Sequence, residues 1–476
     1  MPSQAATFGS EPRAYITGQR LWLALAVVIC AASGVALNLV NPTLVLGVVG
    51  AGLLLLLLFH APYLGILSYL VFEYTRLSAM FPALQALQVG KLVVLPTLVV
   101  WLVHHVVVLR TRILRDRVYL LFLIWLGLGV LSAGMALDQR AAYWAVFDLA
   151  KWFVTSLLII NLVDSLKKWQ IFMWVLLLLN FKLSQFQLRA FTAGFANTYD
   201  PDYFIHQGVG GGSGFFGNAT DFGMAIVVVF PFALYLIFST RSKLLKLVAL
   251  GFTGAFILSI LRSGSRGAAL ALLAMAALAW FKSKRRLASA VMLAAFLVGF
   301  WVVAPPAWRE RLLSAQDYEQ DATAAHRITL WKAGFSMLRD HPFGVGINNF
   351  AVNFVTKYRP PGVEGGATAP HSIFVQAGSE LGIGGLAVLL AVIVLIFRRN
   401  QATRKLYRQA HLDEPWILNF AHALDLSLLG FIVGGAFLTV LYYPHLYIIL
   451  PLAVSLYHIT RKKATTPPVP LAAPAQ

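Results

Sequence analysis

The amino-acid sequence predicts an all-α membrane protein that crosses the bilayer many times, and three observations lead to this fold class. First, 59% of the 476 residues are hydrophobic and only 12% are charged, whereas a soluble globular protein carries about 25% charged residues. Second, the apolar residues form blocks of about 17–25 residues separated by short basic clusters, as in proteins with many membrane-spanning helices. Third, the two-residue alternation of membrane β-strands is absent, which argues against an outer-membrane barrel.

Apolar blocks mark fourteen candidate spans, and we predict twelve to fourteen transmembrane helices. The blocks run at residues 21–39, 43–59, 62–78, 89–109, 118–137, 143–163, 169–188, 220–239, 245–261, 267–281, 287–305, 372–397, 416–440 and 442–459. The first block is too long for the apolar core of a cleavable signal peptide, so we expect it to be a signal anchor. It contains the single cysteine, Cys30, which excludes an intrachain disulfide.

Lysine and arginine set the expected orientation. With both termini in the cytoplasm, more than half of these residues fall in short cytoplasmic segments. The net charge of +19 therefore reflects membrane orientation, and we do not expect a nucleic-acid partner. The predicted organisation is an N-terminal transmembrane bundle (1–305) with an outer loop (189–219), a large periplasmic loop (306–371), C-terminal transmembrane helices (372–459) and a disordered cytoplasmic tail (460–476).

The large outer loop contains one predicted amphipathic helix, from Thr323 to Leu338. Ile328, Trp331, Phe335 and Leu338 recur at helical spacing and form one apolar stripe. We expect this helix to lie on the membrane or to cap a cavity.

Three arginines lie beside predicted outer segments, where the orientation rule disfavours them. Arg189 begins the first long outer loop, whereas Arg262 and Arg266 flank a very short turn. If that turn is helical, their i, i+4 spacing places both guanidinium groups on one face. Arginine suits bidentate recognition of phosphate oxygens, and Gly264 and Gly267 would let a bulky anion approach the backbone. A lipid-linked diphosphate fits these features, with snorkelling to anionic headgroups as the alternative.

A histidine at a membrane–water boundary is the candidate general base. His371 lies where the large loop ends and an apolar helix begins, and imidazole titrates near physiological pH. The alternative is a structural histidine at a helix start. Glu380, nine residues on, would lie about 13 Å away on the opposite face of a continuous helix, so we expect it to pack within the bundle.

Other polar residues carry weaker signals. Asp148 and Lys151 are interpreted as a structural pair, and the glycine run at 208–214 as a flexible segment or a phosphate nest. Asp-Pro-Asp at 200–202 is a weak metal signal, so we predict no metal site. Four isolated charged residues receive no role: Glu73, Arg76, Lys182 and Asp425.

Several motifs resemble those of the bacterial O-antigen ligase/polymerase superfamily over residues 210–400. They are Ser263-Gly264-Ser265-Arg266-Gly267-Ala268, Arg327-x3-Trp331, the segment from Asp340-His341-Pro342-Phe343-Gly344 to Phe350, Pro370-His371-Ser372-Ile373-Phe374, and Ser379-Glu380-Leu381-Gly382-Ile383-Gly384-Gly385-Leu386.

The resemblance implies a metal-independent, inverting glycosyltransferase without a cofactor, on the periplasmic face of the bacterial inner membrane. Its donor would be a glycan on undecaprenyl diphosphate. The family histidine corresponds to His371 as general base, and the arginine of the Ser-Arg-Gly motif corresponds to Arg266. Arg189 lies where family members carry another arginine, near the preceding outer loop, but no motif supports this match. Arg262 has no firm counterpart in the family.

Members of the superfamily differ in their acceptor. The single large outer loop late in the chain favours an O-antigen ligase, which transfers the glycan to lipid A–core. The outer loop at 189–219 keeps an O-antigen polymerase open, and a protein O-glycosylation ligase is a further alternative. A transporter of lipid-linked oligosaccharide is the alternative from another class, although inverted repeats and midplane charges typical of transporters are not visible.

Overall fold

The computed structural model confirms the all-α polytopic fold, because its described residues form helices and no strands. Described are residues 50–75 (except 51 and 54), 89–108, 113–196, 218–283, 322–363 and 369–465, with isolated positions from 286 to 301. Several predictions lie outside these residues: the span at 21–39, most of the span at 287–305, Arg76, the segments 200–202 and 208–214, and residues 466–476.

Chain contacts divide the protein into two units, the first comprising residues 1–69 and 90–113. Helix α1 (Pro62–Thr75) begins in this unit, and α2 (Val89–Leu102) continues as a π-helix over Val103–Val108. Gly65 of α1 lies so close to Thr97 of α2 that a Cβ atom at position 65 would overlap the threonine side chain. A glycine at this contact allows two apolar helices to approach closely.

The second unit, residues 70–89 and 114–476, holds the remaining helices. They are α3 (Val118–Ala133), α4 (Gln139–Leu162), α5 (Leu166–Ala196), α6 (Ala219–Ser239), α7 (Lys243–Arg262), α8 (Arg266–Lys282), α9 (Ala322–Asp340), α10 (Phe350–Asn353, continued as a π-helix to Tyr358), α11 (Ile373–Gln409), α12 (Pro415–Gly435) and α13 (Pro444–Thr465).

Six helices in the described part of the chain are long and apolar enough to cross a membrane: α4, α5, α6, α7, α11 and α12. The protein is therefore a multi-pass membrane protein, and the total of twelve to fourteen spans stays a prediction. Helix α13 runs to Thr465, so residues 460–465, predicted as part of the tail, are helical.

Helix α12 forms the centre of the second unit and packs on α6, α8, α11 and α13. Small residues allow this. Gly434 of α12 faces the Met224 sulfur of α6 with no room for a Cβ, and Gly430 touches Val227 and Met275. Because hydrocarbon lipid is as apolar as a leucine side chain, such close packing stabilises membrane helices more than apolarity alone.

Buried ion pairs hold the end of the unit opposite His371. Arg399 of α11 donates to both carboxylate oxygens of Asp116, at 2.9 and 2.7 Å, and His458 lies 2.8 Å from the same carboxylate. On the other side of α11, Arg404 donates to Asp425 at 2.6 Å. Asp425, unassigned from the sequence, thus belongs to a structural ion pair that joins α11 to α12.

The loop that follows α9 forms backbone hydrogen bonds at a break in α11. Gly382 adopts φ 71°, which interrupts the helix and frees backbone groups for other partners. Val345 N–H donates to Ser379 O at 2.9 Å, and Ile383 N–H donates to Pro342 O at 2.9 Å. Two separate sequence motifs therefore meet at this break, and they fix the loop against the first turns of α11.

The predicted amphipathic helix is confirmed as α9, but only part of the predicted stripe packs on the protein core, where Trp331 contacts the buried cluster. Leu330, Ala333 and Met337 make the buried face. In the predicted stripe, Ile328 and Phe335 are 38% and 62% exposed. Periodicity alone did not separate the two faces, because both are apolar.

Candidate active site

The first of two adjacent cavities, termed the arginine cavity, has a volume of about 250 Å³. Four parts of the fold build it: the start of α6, the turn between α7 and α8 with the first residues of α8, the first half of α9, and the segment after α12. Its lining is Thr220, Gly264, Ser265, Arg266, Gly267, Arg327, Ile328, Trp331, Phe437 and Leu438. Helix α9 thus covers a cavity, which is one of the two roles predicted for it.

The turn between α7 and α8 is not helical, which corrects the i, i+4 argument for the two arginines. Helix α7 ends at Arg262, Gly264 adopts φ 61°, and Ser265 caps α8 by accepting a hydrogen bond from Ala268 N–H at 3.2 Å. Arg266 is therefore the first residue of α8. The cavity lies at this helix N-terminus, where backbone N–H groups and the helix dipole favour an anion.

Helix α6 fixes the position of this turn. Gly223 lies directly against the Ser263 side chain, and a Cβ atom at position 223 would also come within 3.2 Å of Ser265 Cβ. Ser263 Oγ in turn accepts a hydrogen bond from Ser265 N–H at 3.3 Å. The turn is therefore held by packing and by its own hydrogen bonds, which orients the backbone that lines the cavity.

Arg327 is the functional candidate that sequence analysis did not assign, although it belongs to one of the quoted motifs. It lines the arginine cavity from α9, beside Ile328 and Trp331. Its i, i+4 spacing to Trp331 places both side chains on one face of the helix. The signal was thus present in the sequence as an arginine beside the apolar stripe of α9.

His371 lies just before α11 in a left-handed backbone conformation with φ 49°. This conformation is uncommon for residues other than glycine, and it persists where the surrounding structure over-determines it. Two hydrogen bonds do so here. His371 N–H donates to Thr439 Oγ1 at 2.8 Å, and Trp331 Nε1–H donates to Pro370 O at 3.0 Å. The same tryptophan therefore lines the arginine cavity and holds the histidine segment.

The imidazole of His371 is largely removed from water. Burial, with smaller electrostatic contributions from Arg327 and His326, lowers its pKa from the ordinary value of 6.5 to about 4. The side chain is consequently neutral at pH 7 and can accept a proton. The electrostatic link to Arg327 indicates that the histidine and the arginine cavity are close neighbours.

The second cavity, termed the acidic cavity, has a volume of about 810 Å³ and contains His371. Thr220 lines both cavities, so they adjoin at this residue. The acidic cavity is lined by Glu73, Ala141, Trp144, Ala145, Asp148, Lys151, Trp152, Asn218, Thr220, Asp221, Asn348, Ala369, His371, Gln376, Thr439, Tyr442, Tyr443 and Pro444.

Glu380 packs within the bundle, as expected. Its carboxylate is buried, and it accepts hydrogen bonds from Asn348 N–H at 3.0 Å and from the Tyr442 hydroxyl at 2.8 Å. Both partners line the acidic cavity. Glu380 therefore supports the cavity wall through two of its lining residues without lining the cavity itself.

The other predicted phosphate ligands lie elsewhere. Arg189 is exposed near the end of α5, and Arg262 ends α7. Gln187 Nε2–H donates to Ser259 O at 3.2 Å, which places these two helix ends side by side. Neither arginine lines the arginine cavity or the acidic cavity, so their role in diphosphate binding stays a prediction.

The arrangement combines an anion site with a neutral histidine in an adjoining cavity. Among the described residues, no group of three or more His, Cys, Asp or Glu side chains is placed to hold a metal ion. The local chemistry available is therefore cationic stabilisation by two guanidinium groups and proton transfer by one imidazole.

Comparison with known proteins gives one family. Residues 251–390 match the family model described as O-antigen ligase. The matched segment contains Arg266, Arg327 and His371, and it leaves Arg189 outside. No curated protein matches the chain. This match supports the O-antigen ligase family for the segment from 251 to 390.

Proposed function

We propose that this protein is an inverting glycosyltransferase that transfers a glycan from undecaprenyl diphosphate to a hydroxyl group of lipid A–core. The observation that carries the proposal is the meeting of two unlike cavities at Thr220, one lined by Arg266 and Arg327 and the other by His371. An anionic leaving group and a proton-accepting base are the two requirements of this transfer. The match of residues 251–390 to the O-antigen ligase family model supports the same class of reaction.

The donor diphosphate binds in the arginine cavity. Guanidinium groups bind phosphate oxygens in bidentate fashion, and the N-terminus of α8 adds backbone N–H groups and a favourable dipole. As the glycosidic bond breaks, negative charge grows on the diphosphate, and preorganised positive groups stabilise it. Arg266 and Arg327 thereby take over the neutralisation that a metal ion provides in many glycosyltransferases.

His371 removes the proton from the acceptor hydroxyl. The acceptor oxygen attacks the anomeric carbon on the face opposite the diphosphate, and the carbon–oxygen bond to the diphosphate breaks. The proton moves to the imidazole, and undecaprenyl diphosphate leaves. One displacement inverts the anomeric configuration, and general-base catalysis contributes about 10²- to 10⁴-fold to its rate.

The reaction takes place at the periplasmic face of the bacterial inner membrane. The charge bias of the short loops places the termini in the cytoplasm, so His371 and the arginine cavity face the other side. Both proposed substrates are lipids, and the second unit presents its cavities at one end of a bundle of membrane-spanning helices. The donor, the acceptor and the site thus share one membrane surface.

A reconstituted transfer assay tests the function. Purified protein, undecaprenyl-diphosphate-linked glycan and lipid A–core are combined with EDTA, and products are separated on a gel. We expect a shifted lipid A–core band. A ladder of longer lipid-linked glycans would instead identify a polymerase, and no product from an active donor would refute glycan transfer to either acceptor.

Two variants test the assigned roles. His371→Ala should abolish transfer while the protein still folds, because the cavity loses its base. Arg266→Lys should bind the donor poorly, because an ammonium group cannot reproduce the planar guanidinium fork. Normal transfer by the first variant would remove His371 as the base, and unchanged donor affinity in the second would remove Arg266 as a ligand.

A further inference from the structure

The proposed reaction gives no role to the charged wall of the acidic cavity. Within the described part of the chain, this wall carries three carboxylates, from Glu73, Asp148 and Asp221, and one ammonium group, from Lys151. His371, the remaining titratable imidazole in the lining, is neutral at pH 7. The cavity that holds the proposed base therefore has an excess of negative charge, in contrast to the neighbouring arginine cavity.

Lys151 does not cancel this excess. Its Nζ atom lies 3.8 Å from Glu73 Oε1 and 3.6 Å from Asp148 Oδ1, so one ammonium group serves two carboxylates. Asp221, on α6, accepts a hydrogen bond from the Tyr443 hydroxyl at 3.0 Å, which is a neutral partner. Carboxylates only accept hydrogen bonds, so the wall presents acceptor oxygens to whatever enters.

An exposed indole lies beside these carboxylates. Trp144 lines the cavity and is 47% exposed. It precedes Asp148 by one helical turn on α4, so the two side chains share a face. Asp148 is 54% exposed. A flat apolar surface next to hydrogen-bond acceptors matches a sugar ring, which has an apolar C–H face and hydroxyl groups that donate around its edge.

We propose that the acidic cavity is the acceptor subsite and that it binds an uncharged, hydroxyl-bearing sugar. This inference rests on the proposed function, which supplies the reaction in which the bound sugar is the acceptor. The volume of the acidic cavity, about 810 Å³, falls within the range of about 300–1,000 Å³ typical of small-molecule sites. The sugar packs on Trp144, its hydroxyl groups donate to the carboxylates, and one hydroxyl reaches His371.

Charge separates the two substrates. The anionic diphosphate is attracted to the guanidinium groups and repelled by the carboxylates, because like charges at short range in a partly buried site repel strongly. An acceptor sugar that carries a phosphate or a carboxylate near its reacting hydroxyl is repelled in the same way. The subsite therefore selects neutral sugars and keeps the diphosphate of the donor on its own side of Thr220.

Saturation-transfer NMR on the full-length protein in lipid nanodiscs tests the subsite without any transfer reaction. The probes are a neutral hexose trisaccharide and a hexuronic acid trisaccharide of equal length. We expect saturation of the neutral probe alone. Trp144→Ala should weaken binding of the neutral probe about tenfold, the higher end of the range for one aromatic packing contact, and Asp148→Lys should admit the anionic probe. Asp164→Asn, an exposed carboxylate on another cavity, is the matched control and should leave the signals unchanged.

Several results would overturn the inference. The first is stronger binding of the anionic probe than of the neutral probe to the wild type, and the second is no binding of the neutral probe. The third is no effect of either cavity variant, and this result would make Trp144 a membrane-interface anchor. The transfer assay separates this failure from failure of the proposed function. An active enzyme whose Asp148→Lys variant keeps its acceptor KM contradicts the subsite alone, whereas an inactive wild type that still binds the neutral probe contradicts the reaction alone.

Discussion

Replacing Arg327 by glutamine tests whether the arginine cavity and the base act together. The variant keeps a polar side chain of similar length and removes one positive charge from the cavity lining. A hydrogen bond to a charged group contributes about 1.5–3 kcal/mol. Loss of this contact with the diphosphate should therefore reduce kcat/KM for the donor by about 10- to 150-fold, with most of the loss in KM if the contact exists in the ground state.

The same substitution should move the pH dependence in a defined direction. The positive charge of Arg327 disfavours protonated His371 and contributes, after burial, to a pKa of about 4. The acid limb of kcat/KM reports ionisations of the free enzyme, so in the wild type it should lie well below pH 6. Without the arginine charge the pKa of His371 rises, and the limb should move towards the ordinary histidine value of about 6.5.

Initial rates of transfer from pH 4 to pH 9 provide the measurement. Arg339→Gln is the matched control, because Arg339 lies on the same helix, is 77% exposed and pairs with Asp340. A wild-type limb near 6.5, or identical limbs in Arg327→Gln and the wild type, would refute the electrostatic coupling. Equal donor KM values in the Arg327 variant and the control would refute its contact with the diphosphate.

Three further predictions concern backbone approach and the opposite end of the bundle. Gly267→Ala should keep the wild-type melting temperature, because the added methyl group makes only ordinary contacts of 3.6 Å. The methyl group should nevertheless raise the KM for the donor, because it occupies space in the arginine cavity. An unchanged KM would show that the donor does not approach this backbone. Gly344→Ala should lower the free energy of unfolding by about 2 kcal/mol or more, because φ is 92° and the new Cβ would overlap Glu380 O. The control Gly362→Ala, with φ 78° and open space around it, should lose only the stability that the left-handed backbone costs an alanine. Equal shifts in melting temperature would contradict the steric argument. Asp116→Asn should lower stability by about 3 kcal/mol, as when a buried ion pair is broken, with kcat unchanged. Burial raises the pKa of Asp116, but hydrogen bonds from His458, the Val118 backbone and Arg399 outweigh it, so the pKa is lowered. In the wild type the stabilisation by Asp116 should therefore be present above pH 4 and be lost as the pH falls through this lowered pKa. Denaturation at several pH values measures both the loss of stability in the variant and its pH dependence.

The helices were the most predictable part of the fold. Blocks such as 220–239 and 245–261 coincide within two residues with α6 and α7, because a membrane requires long apolar segments and short polar turns between them. The two faces of α9 were less predictable. Its core-facing residues and the exposed part of the predicted stripe, Ile328 and Phe335, are both apolar. Periodicity therefore cannot tell which face of the helix contacts protein.

The site was predictable in its parts but not in its composition. His371 and Arg266 were proposed from the sequence because each lies beside a predicted span boundary, and their roles stay predictions. The pairing of Arg262 with Arg266 was wrong in its geometry, because Gly264 in a left-handed conformation ends one helix before the next begins. Glu73, Asp148 and Lys151 were interpreted as isolated or structural residues, and only the tertiary structure places them with His371 in the lining of one cavity.

The sequence by itself determined the class of the protein, with many membrane-spanning helices. It also predicted an orientation from the basic residues, and a histidine and an arginine at span boundaries as site residues. These properties follow from the solvent, since a bilayer imposes the same length, apolarity and charge rules on every segment that crosses it. Only the tertiary structure decided which charges share a cavity. Arg327 meets Arg266 and the carboxylates gather opposite His371 because helices distant in the chain pack side by side, and the spacing of residues along the chain carries no record of that packing.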